Sequence, residues 1–290
     1  MRKKLEETNE ESANMKKLFL FIILAVFSTV LSACGDSEGS VDKKETVKIG
    51  ISGTDDRVWK YVAEKAEKEG IEIKLVSFSD YVQPNVALAE GDLDANSFQT
   101  VSYFNAFIKE RKLDLAPVAT TVIAPMGLYS EKHKSINDIP NGATIAVPNE
   151  ATNMGRAFLL LQEAGLITLP KDFDGNGSLD KIVDNPKNIK IEPVVAGQTP
   201  RVLPDVDASI INNGIAVDAG FDPIKDSIFH EDATAKPYIN IIAARTEDKN
   251  RDVLKRIAEL YQEDDVAKLI ETEFKGAQIP TFVPLSEIDY

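Results

Sequence analysis

Apolar and polar residues alternate along two segments near the start of the predicted folded region. Every second residue is apolar over 47–51 and again over 71–75. This period of two predicts two strands, each with one buried face. Between them, residues 58–66 place apolar side chains at helical spacing, and Gly70 predicts the end of the helix. The pattern therefore predicts a strand–helix–strand unit of about 30 residues, the size of a parallel crossover.

A second unit of the same kind follows later in the chain. Residues 145–147 are predicted as a strand, and residues 152–164 as a helix that ends at Gly165. Another strand is predicted around 189–191, and the short apolar run 209–211 is typical of a buried strand. Strands that alternate with helices in this way predict an α/β fold with mostly parallel sheets.

The chain is long enough to form two lobes. Without residues 1–33, which are predicted as a signal peptide, 257 residues remain, and this number is large for a single core. Two apolar segments, 120–129 and 236–243, are predicted to cross between the lobes and to form a hinged cleft. Residues 253–270 are predicted as one C-terminal helix that covers lobe I through its apolar face. The predicted division is residues 46–124 and 241–290 for lobe I and 125–240 for lobe II.

The N-terminal segment has the pattern of an export signal. Two lysines precede an uncharged run over 18–31, which is too short to span a membrane comfortably. Small residues and then Cys34, the single cysteine of the chain, follow in a pattern that resembles the bacterial lipobox. This resemblance implies cleavage before Cys34 and lipidation of its thiol, and the alternative is an ordinary secretory signal with an incidental cysteine. Residues 1–33 are predicted as the signal peptide, with Met15 as the true start, and residues 34–45 as a flexible tether.

Composition and charge exclude several classes of protein. Hydrophobic residues make up 43% and charged residues 28% of the chain, values that exclude a disordered protein. The formal net charge of −14 argues against a nucleic-acid partner, because phosphate binding needs a basic surface. Two histidines and one cysteine leave little material for a zinc site or for cysteine–histidine catalysis. No nucleophile–base motif or phosphate-binding loop is present, so neither an enzyme nor a cofactor is predicted.

One acidic run resembles the first half of a calcium loop. Asp172–Asp180 combines aspartates with glycines, but Val183 occupies the position where such a loop has its bidentate glutamate. A surface turn is therefore the favoured interpretation, with calcium binding as the alternative.

Three other segments combine polar and aromatic residues next to predicted strand ends. Residues 77–85 follow the second strand, and residues 91–104 add further aromatic and amide side chains. Ligands of open α/β sheets bind at such positions, although packing alone also explains both segments. Residues 148–156 run from a strand end into a helix whose free N–H groups favour an anion. Arg156, predicted in the first turn of this helix, adds a planar guanidinium fork suited to a carboxylate, and an ordinary surface ion pair is the alternative.

Taken together, these segments resemble the NlpA/MetQ family of substrate-binding lipoproteins of methionine-uptake ABC transporters. The matching runs occur in the family's order over essentially the whole mature chain: Asp80–Asn85, Asp94–Gln99, Pro148–Asn153 with Arg156, Ile211–Asn213 and Pro237–Ile242. The resemblance implies a two-lobed, periplasmic-binding-protein-like (type II) fold with a hinged cleft.

The resemblance also implies roles for individual residues. Arg156 would pair with the α-carboxylate of the ligand. The ligand-binding positions that it implies are Tyr81, Phe98, Thr100, Tyr103, Asn153, Arg156, Asn212, Asn213 and Asn240. Among them, the asparagines after residue 211 would hold the polar head, and the three aromatic residues would enclose an apolar side chain. Thr100 stands where many methionine binders of the family have histidine, which leaves another amino acid or a small peptide as alternatives.

The function implied is an extracytoplasmic, lipid-anchored binding protein that delivers an amino acid to a permease–ATPase complex. Methionine or a derivative is the first candidate ligand. A small methionine-containing peptide or another apolar amino acid is the alternative within this class. A surface adhesin or interaction lipoprotein is the alternative from another class, and a secreted hydrolase ranks last because the sequence offers no nucleophile–base pair.

Overall fold

The computed structural model describes residues 44–232, 236–288 and 290. The predicted signal peptide, Cys34 and the predicted tether up to residue 43 lie outside the described residues. Glu45, predicted as the last tether residue, already belongs to the first strand.

The described residues form eleven strands and seven α-helices. The strands, in chain order, are β1 (Glu45–Ser52), β2 (Ile71–Phe78), β3 (Ala95–Thr100), β4 (Leu115–Ile123), β5 (Gly127–Tyr129), β6 (Thr144–Pro148), β7 (Lys190–Val194), β8 (Ala208–Ile211), β9 (Ser227–His230), β10 (Ile239–Arg245) and β11 (Ile279–Pro280). The helices are α1 (Arg57–Glu67), α2 (Gln83–Glu90), α3 (Val101–Arg111), α4 (Ala151–Glu163), α5 (Asn213–Asp218), α6 (Asp252–Tyr261) and α7 (Asp264–Phe274).

The first strand–helix–strand unit forms as its pattern predicts. β1 and β2 pair in parallel from Glu45 opposite Ile71 to Ser52 opposite Phe78. α1 connects them, and its apolar stripe is buried against the sheet. Gly70 turns the chain from α1 into β2 with a φ of 79°, a left-handed conformation that glycine adopts without steric cost.

The strands assemble into two sheets. The first has the order β11-β4-β10-β3-β1-β2, and the second has the order β7-β6-β8-β5-β9. We use lobe I for the first sheet with its helices and lobe II for the second. The chain passes from β4 to β5 through residues 124–126. It returns from β9 to β10 through a passage whose described residues are 231–232 and 236–238. Pro125 lies in the outgoing passage, where its missing N–H interrupts strand pairing.

The pairing within each sheet is mixed, so the expectation of mostly parallel sheets was too simple. β1 pairs in parallel with β2 and β3, and β6 pairs in parallel with β7 and β8. The strands beside the passages, β4, β5 and β10, pair antiparallel with their neighbours. The chain leaves the first sheet along β4 and re-enters it along β10, and these two strands run in opposite directions. The parallel rule therefore holds only for strands joined by helical crossovers.

The C-terminal segment packs on lobe I as two helices, so the prediction of one continuous helix was wrong. α6 ends at Tyr261, and Glu263 has an extended backbone with a ψ of 151°. Asp264 and Asp265 then begin α7, where acidic side chains favour the positive end of a helix. Both helices contribute to the same core as α1, with Leu254, Ile257 and Ile270 among its buried members. The apolar pattern continues along the sequence across the break, because each of the two helices packs its own apolar stripe against the core.

Candidate functional site

A cavity of about 160 Å³ lies between the two lobes. Its walls include residues that follow β2, lie in β3, α3 and β10, and lie near the starts of α4 and α5, together with Ala124 of the outgoing passage. All nine residues predicted as ligand-binding positions line it: Tyr81, Phe98, Thr100, Tyr103, Asn153, Arg156, Asn212, Asn213 and Asn240. The structure thus brings into one cavity residues that are up to 159 positions apart, from 81 to 240.

One wall of the cavity is a cluster of three aromatic rings. The ring centroids of Tyr81, Phe98 and Tyr103 are 5.9 to 6.2 Å from each other. The hydroxyl of Tyr103 donates to the backbone oxygen of Tyr81 at 2.9 Å, which ties α3 to the loop after β2. Burial, with a smaller contribution from the charge of Glu150, raises the pKa of both tyrosines, so their phenols stay neutral. This wall suits an apolar group.

Thr100 has a structural role that its position in the sequence did not indicate. It is the N-cap of α3, and its hydroxyl oxygen accepts a hydrogen bond from the N–H of Tyr103 at 3.2 Å. The same side chain lines the cavity. Thr100 therefore joins the start of the helix that carries Tyr103 to the cavity wall.

A buried amide network holds the aromatic wall in place. Asn85 and Gln99 exchange two side-chain hydrogen bonds of 2.7 Å, and Asn96 donates to Asn85 at 2.8 Å. All three side chains are buried. The network joins the start of α2, just after Tyr81, to the strand that carries Phe98. The sequence analysis noted amide side chains in both segments, but it assigned these three residues no individual role.

Two asparagines at the start of α5 present unpaired oxygens. Asn213 donates to the backbone oxygens of Pro125 and Ala277 at 3.2 and 2.7 Å, and Asn212 donates to Oδ1 of Asn153 at 3.3 Å. The Oδ1 atoms of Asn212 and Asn213 are buried, and no described residue donates a hydrogen bond to either of them. A buried acceptor without a donor is costly, so these two oxygens are suited to the N–H groups of a ligand.

Asn240 belongs to the same polar side of the cavity. It lies in β10, directly after the return passage, and its Nδ2 donates to the backbone oxygen of Val122 in β4 at 3.2 Å. Its amide plane is thereby oriented by the neighbouring strand. The polar side of the cavity thus collects amides from α4, α5 and β10.

Arg156 forms a buried ion pair with Glu231, which sequence reasoning missed. Nε of Arg156 donates to Oε1 of Glu231 at 2.8 Å, and Nη2 donates to Oε2 at 2.6 Å. Nη2 also donates to the backbone oxygen of Ala124 at 2.9 Å, and the guanidinium stacks on Tyr238 at 4.3 Å from the ring centroid. Arg156 therefore forms an ion pair within the protein. This pair is buried, whereas the alternative considered from the sequence was an exposed surface pair.

Two details of the expected carboxylate clamp need correction. Arg156 is the sixth residue of α4, so it lies in the second turn and not in the first. Its Nε–Nη2 edge is occupied by Glu231 and Ala124, which leaves Nη1 as the nitrogen for which the described residues supply no acceptor. Among the described residues, the guanidinium thus keeps only Nη1, and not its full planar fork, for a further acceptor.

The acidic run Asp172–Asp180 packs against the start of α4. The N–H of Gly177 donates to the backbone oxygen of Ala151 at 2.7 Å. A Cβ atom at Gly155 would lie only 1.9 Å from the backbone oxygen of Gly175. The glycines of this run therefore allow loop and helix backbones to touch. Within the described ranges, no group of three or more histidine, cysteine, aspartate or glutamate side chains is arranged to hold a metal.

The model of the NlpA lipoprotein family matches residues 47–282. This chain belongs to the NlpA lipoprotein family. Lipoprotein YhcJ of Bacillus subtilis is 40% identical over 274 residues, which cover 94% of this chain and 97% of that protein. D-methionine-binding lipoprotein MetQ of Salmonella typhimurium is 40% identical over 272 residues, which cover 91% of this chain and 97% of that protein. The family resemblance inferred from the sequence runs is confirmed.

Solved structures of NlpA-family relatives share the fold. A nutrient binding protein from Burkholderia cenocepacia, bound to methionine, is 44% identical with a TM-score of 0.78, covering 81% of this chain and 100% of that one. Protein PG110 from Staphylococcus aureus is 40% identical with a TM-score of 0.81, covering 83% and 96% of the two chains. The predicted two-lobed, periplasmic-binding-protein-like α/β fold is confirmed.

Proposed function

We propose that this protein is the substrate-binding protein of an ABC importer and that it carries methionine or a close derivative. The lobes would close on the ligand about the two passages, as hinged binding proteins do. The names of the relatives support a binding protein and not an enzyme, since MetQ of Salmonella typhimurium is called a D-methionine-binding lipoprotein. The Burkholderia cenocepacia relative with bound methionine supports the same ligand class.

The observation that carries this proposal is the division of one cavity into a polar and an aromatic side. Nη1 of Arg156 offers donors for a carboxylate, and the unpaired oxygens of Asn212 and Asn213 offer acceptors for an ammonium group. The rings of Tyr81, Phe98 and Tyr103 lie on the aromatic side. An amino acid with an unbranched, polarizable side chain matches this arrangement, because sulfur contacts aromatic rings favourably.

The size of the cavity also favours a single amino acid. Its volume of about 160 Å³ is small beside the adjoining groove of about 750 Å³. That space suits a small amino acid. Closure would exclude water, and a lower local dielectric would strengthen the contact between Arg156 and the carboxylate.

A small peptide is the second candidate ligand. A groove of about 750 Å³ lies at the mouth of the cleft and shares Ser52 and Tyr81 with the cavity. A second residue of a dipeptide would have room there. The small Thr100 side chain on the cavity wall is a further reason to test ligands other than methionine.

We further propose that the protein is anchored on the extracytoplasmic face of the membrane through a lipid on Cys34. Its relatives are named lipoproteins, which supports this placement. In the part of the chain that the structure describes, no helix is long and apolar enough to cross a membrane. Replacing Cys34 with serine should release the mature protein from the membrane fraction. A Cys34→Ser variant that stays as firmly bound as the wild type would contradict the lipid anchor.

The experiment that tests the ligand is mass spectrometry of small molecules released from the denatured, freshly purified protein. Calorimetry on ligand-free protein should follow, with L- and D-methionine, leucine and methionine-containing dipeptides as titrants. Binding of methionine more tightly than leucine and the dipeptides supports the first candidate. Tighter binding of a dipeptide supports the second. Absence of binding to every titrant, with no retained small molecule, would favour an interaction lipoprotein over a transport protein.

A further inference from the structure

The partners of Arg156 all come from the two passages between the lobes. Ala124 belongs to the outgoing passage, and Glu231 and Tyr238 belong to the returning one. Glu231 also accepts a hydrogen bond from the N–H of Met126 at 2.8 Å. One carboxylate therefore joins both passages to the guanidinium that faces the cavity.

The ion pair restricts what Arg156 can offer to a ligand. A guanidinium has five N–H donors in a fixed plane. The carboxylate of Glu231 accepts hydrogen bonds from Nε and Nη2, and the backbone oxygen of Ala124 accepts a second hydrogen bond from Nη2. The remaining donors are the two of Nη1. Glu231 thus decides both the orientation of the guanidinium and the edge that meets the ligand.

The ion pair also removes the net charge of the cavity wall. The side chains of Arg156 and Glu231 are 4% and 12% exposed, so solvent does little to screen them. Asp55 is the other charged residue on the cavity wall, and Arg57 pairs with it through two hydrogen bonds of 2.7 and 2.8 Å. Each charge on the described wall therefore has an opposite charge beside it.

We propose that Glu231 makes the site selective for a zwitterionic ligand. An unpaired arginine would attract any carboxylate and repel an ammonium group. With Glu231 beside Arg156, a carboxylate alone gains little, and the ammonium group can approach the oxygens of Asn212 and Asn213 without repulsion. Glu231 is a positioning residue, because it acts on the ligand through Arg156. This inference rests on the proposed function, since it assumes an amino-acid ligand.

The test compares two ligands that differ by one group. Calorimetry would measure methionine and 4-(methylthio)butanoate, which lacks the amino group, on the wild type and on Glu231→Gln. We expect the wild type to bind methionine at least a hundredfold more tightly than the desamino acid. In Glu231→Gln this ratio should fall at least tenfold, because the uncompensated guanidinium attracts the carboxylate and repels the ammonium group. Glu231→Asp keeps the charge and should restore most of the ratio.

The matched control is Glu287→Gln. Glu287 is a half-exposed carboxylate that pairs with Lys236 on the returning passage, and it has no contact with Arg156. Its removal should leave the ratio unchanged. An equal loss of affinity for both ligands in Glu231→Gln would mean that Glu231 is only structural, and it would overturn the inference. An unchanged ratio of the two affinities in Glu231→Gln would also overturn the inference.

Two further outcomes separate this inference from the proposed function. If the wild type binds neither ligand, methionine is the wrong ligand in the proposed function, and the selectivity argument falls with it. If the wild type binds both ligands equally well, the proposed function stands and Glu231 does not confer selectivity. A wild type without a preference would therefore overturn the inference even if Glu231→Gln does not fold.

Discussion

Thr54 and Asp218 are joined across the mouth of the cleft. Oδ1 of Asp218 accepts hydrogen bonds from the backbone N–H of Thr54 at 2.9 Å and from its hydroxyl at 2.8 Å. Thr54 follows β1 in lobe I, and Asp218 ends α5 in lobe II. The short helix that begins with Asn213 at the cavity therefore ends in a contact that holds the lobes together.

Replacing Asp218 with alanine should weaken ligand binding, although Asp218 does not line the cavity. Both hydrogen bonds join the two lobes, and each contributes about 0.5–1.5 kcal/mol. Because about 1.4 kcal/mol is a factor of ten, calorimetry should give roughly a tenfold loss of affinity. Asp222→Ala is the control, since Asp222 lies in the same lobe and bonds only to residues close to it in sequence. Equal dissociation constants for wild type and Asp218→Ala would contradict a closing role for this contact.

Replacing Arg156 with alanine should reduce both affinity and stability. The ligand carboxylate loses its cationic partner, which typically costs about 2–5 kcal/mol, or roughly thirtyfold or more in affinity. Glu231 is left buried without its partner, which costs about 3–5 kcal/mol of folding stability. Calorimetry and chemical denaturation measure the two effects separately. Arg156→Lys should also lose affinity, because an ammonium group cannot serve Glu231, Ala124 and the ligand in the same plane.

A surface arginine provides the comparison for the Arg156 variants. Arg256 pairs with Glu69 at an exposed position, where ion pairs contribute little to stability. Arg256→Ala should therefore leave the melting temperature and the ligand affinity almost unchanged. Equal effects of the two alanine variants would mean that the buried pair has no special role.

Replacing Thr100 with histidine should change the order of preferred ligands and lower stability at the same time. Thr100 lines the cavity, so a larger ring alters the space for the ligand side chain. The histidine also removes the cap of α3, which typically costs about 1 kcal/mol. Thr100→Ser keeps the capping oxygen and should leave the melting temperature close to that of the wild type. An unchanged ligand order in Thr100→His, measured by calorimetry on a panel of amino acids, would show that this position does not select the ligand.

Replacing Gly155 with alanine should destabilise lobe II. The new Cβ would lie 1.9 Å from the backbone oxygen of Gly175, so the loop over 172–180 must move away from α4. We expect a loss of several degrees in melting temperature. Gly214→Ala is the control, because a Cβ at Gly214 meets no atom within 4 Å and alanine favours a helix. A Gly155→Ala variant as stable as the wild type would contradict the close backbone contact.

Asp207 should contribute stability that depends on pH. The backbone N–H of Thr144, and to a lesser extent His133, hold the pKa of this carboxyl below its usual value. A lowered pKa in the folded state means that the contribution is fully present above the unfolded pKa of about 3.9 and is lost as the pH falls through the folded pKa. Asp207→Asn should therefore be less stable than the wild type at pH 7, and the difference should shrink below about pH 4. Denaturation at both pH values measures this, with exposed Asp205→Asn as the control. A difference that does not depend on pH would contradict it.

The sequence predicted the regular elements well wherever one periodic pattern covered a whole element. The strand–helix–strand unit over 45–78 forms with the parallel pairing that was predicted, because its period-two and helical stripes bury opposite sides of one core. The break between α6 and α7 was missed, because two consecutive apolar stripes look continuous in sequence. The mixed pairing was missed as well, since strand direction depends on the path of the whole chain.

The candidate site was likewise predicted only in part from the sequence. The sequence runs named nine residues, and the structure places all nine on one cavity. The sequence did not indicate the amide network of Asn85, Asn96 and Gln99 as a support for the aromatic wall. It also gave no sign that Thr100 caps a helix, because a threonine before a helix and a threonine in a pocket look alike in sequence.

The sequence by itself determined the family, the α/β elements and the residue types that reach the cavity, because local periodicity and short motifs carry that information. Only the tertiary structure decided which polar atoms of those residues bond to other parts of the protein and which are left for a ligand. Glu231 is 75 positions from Arg156, and nothing in either neighbourhood predicts that the two meet. Their contact forms because the returning passage lies beside α4. That approach of distant segments decides whether Arg156 presents its whole guanidinium or only Nη1 to a ligand.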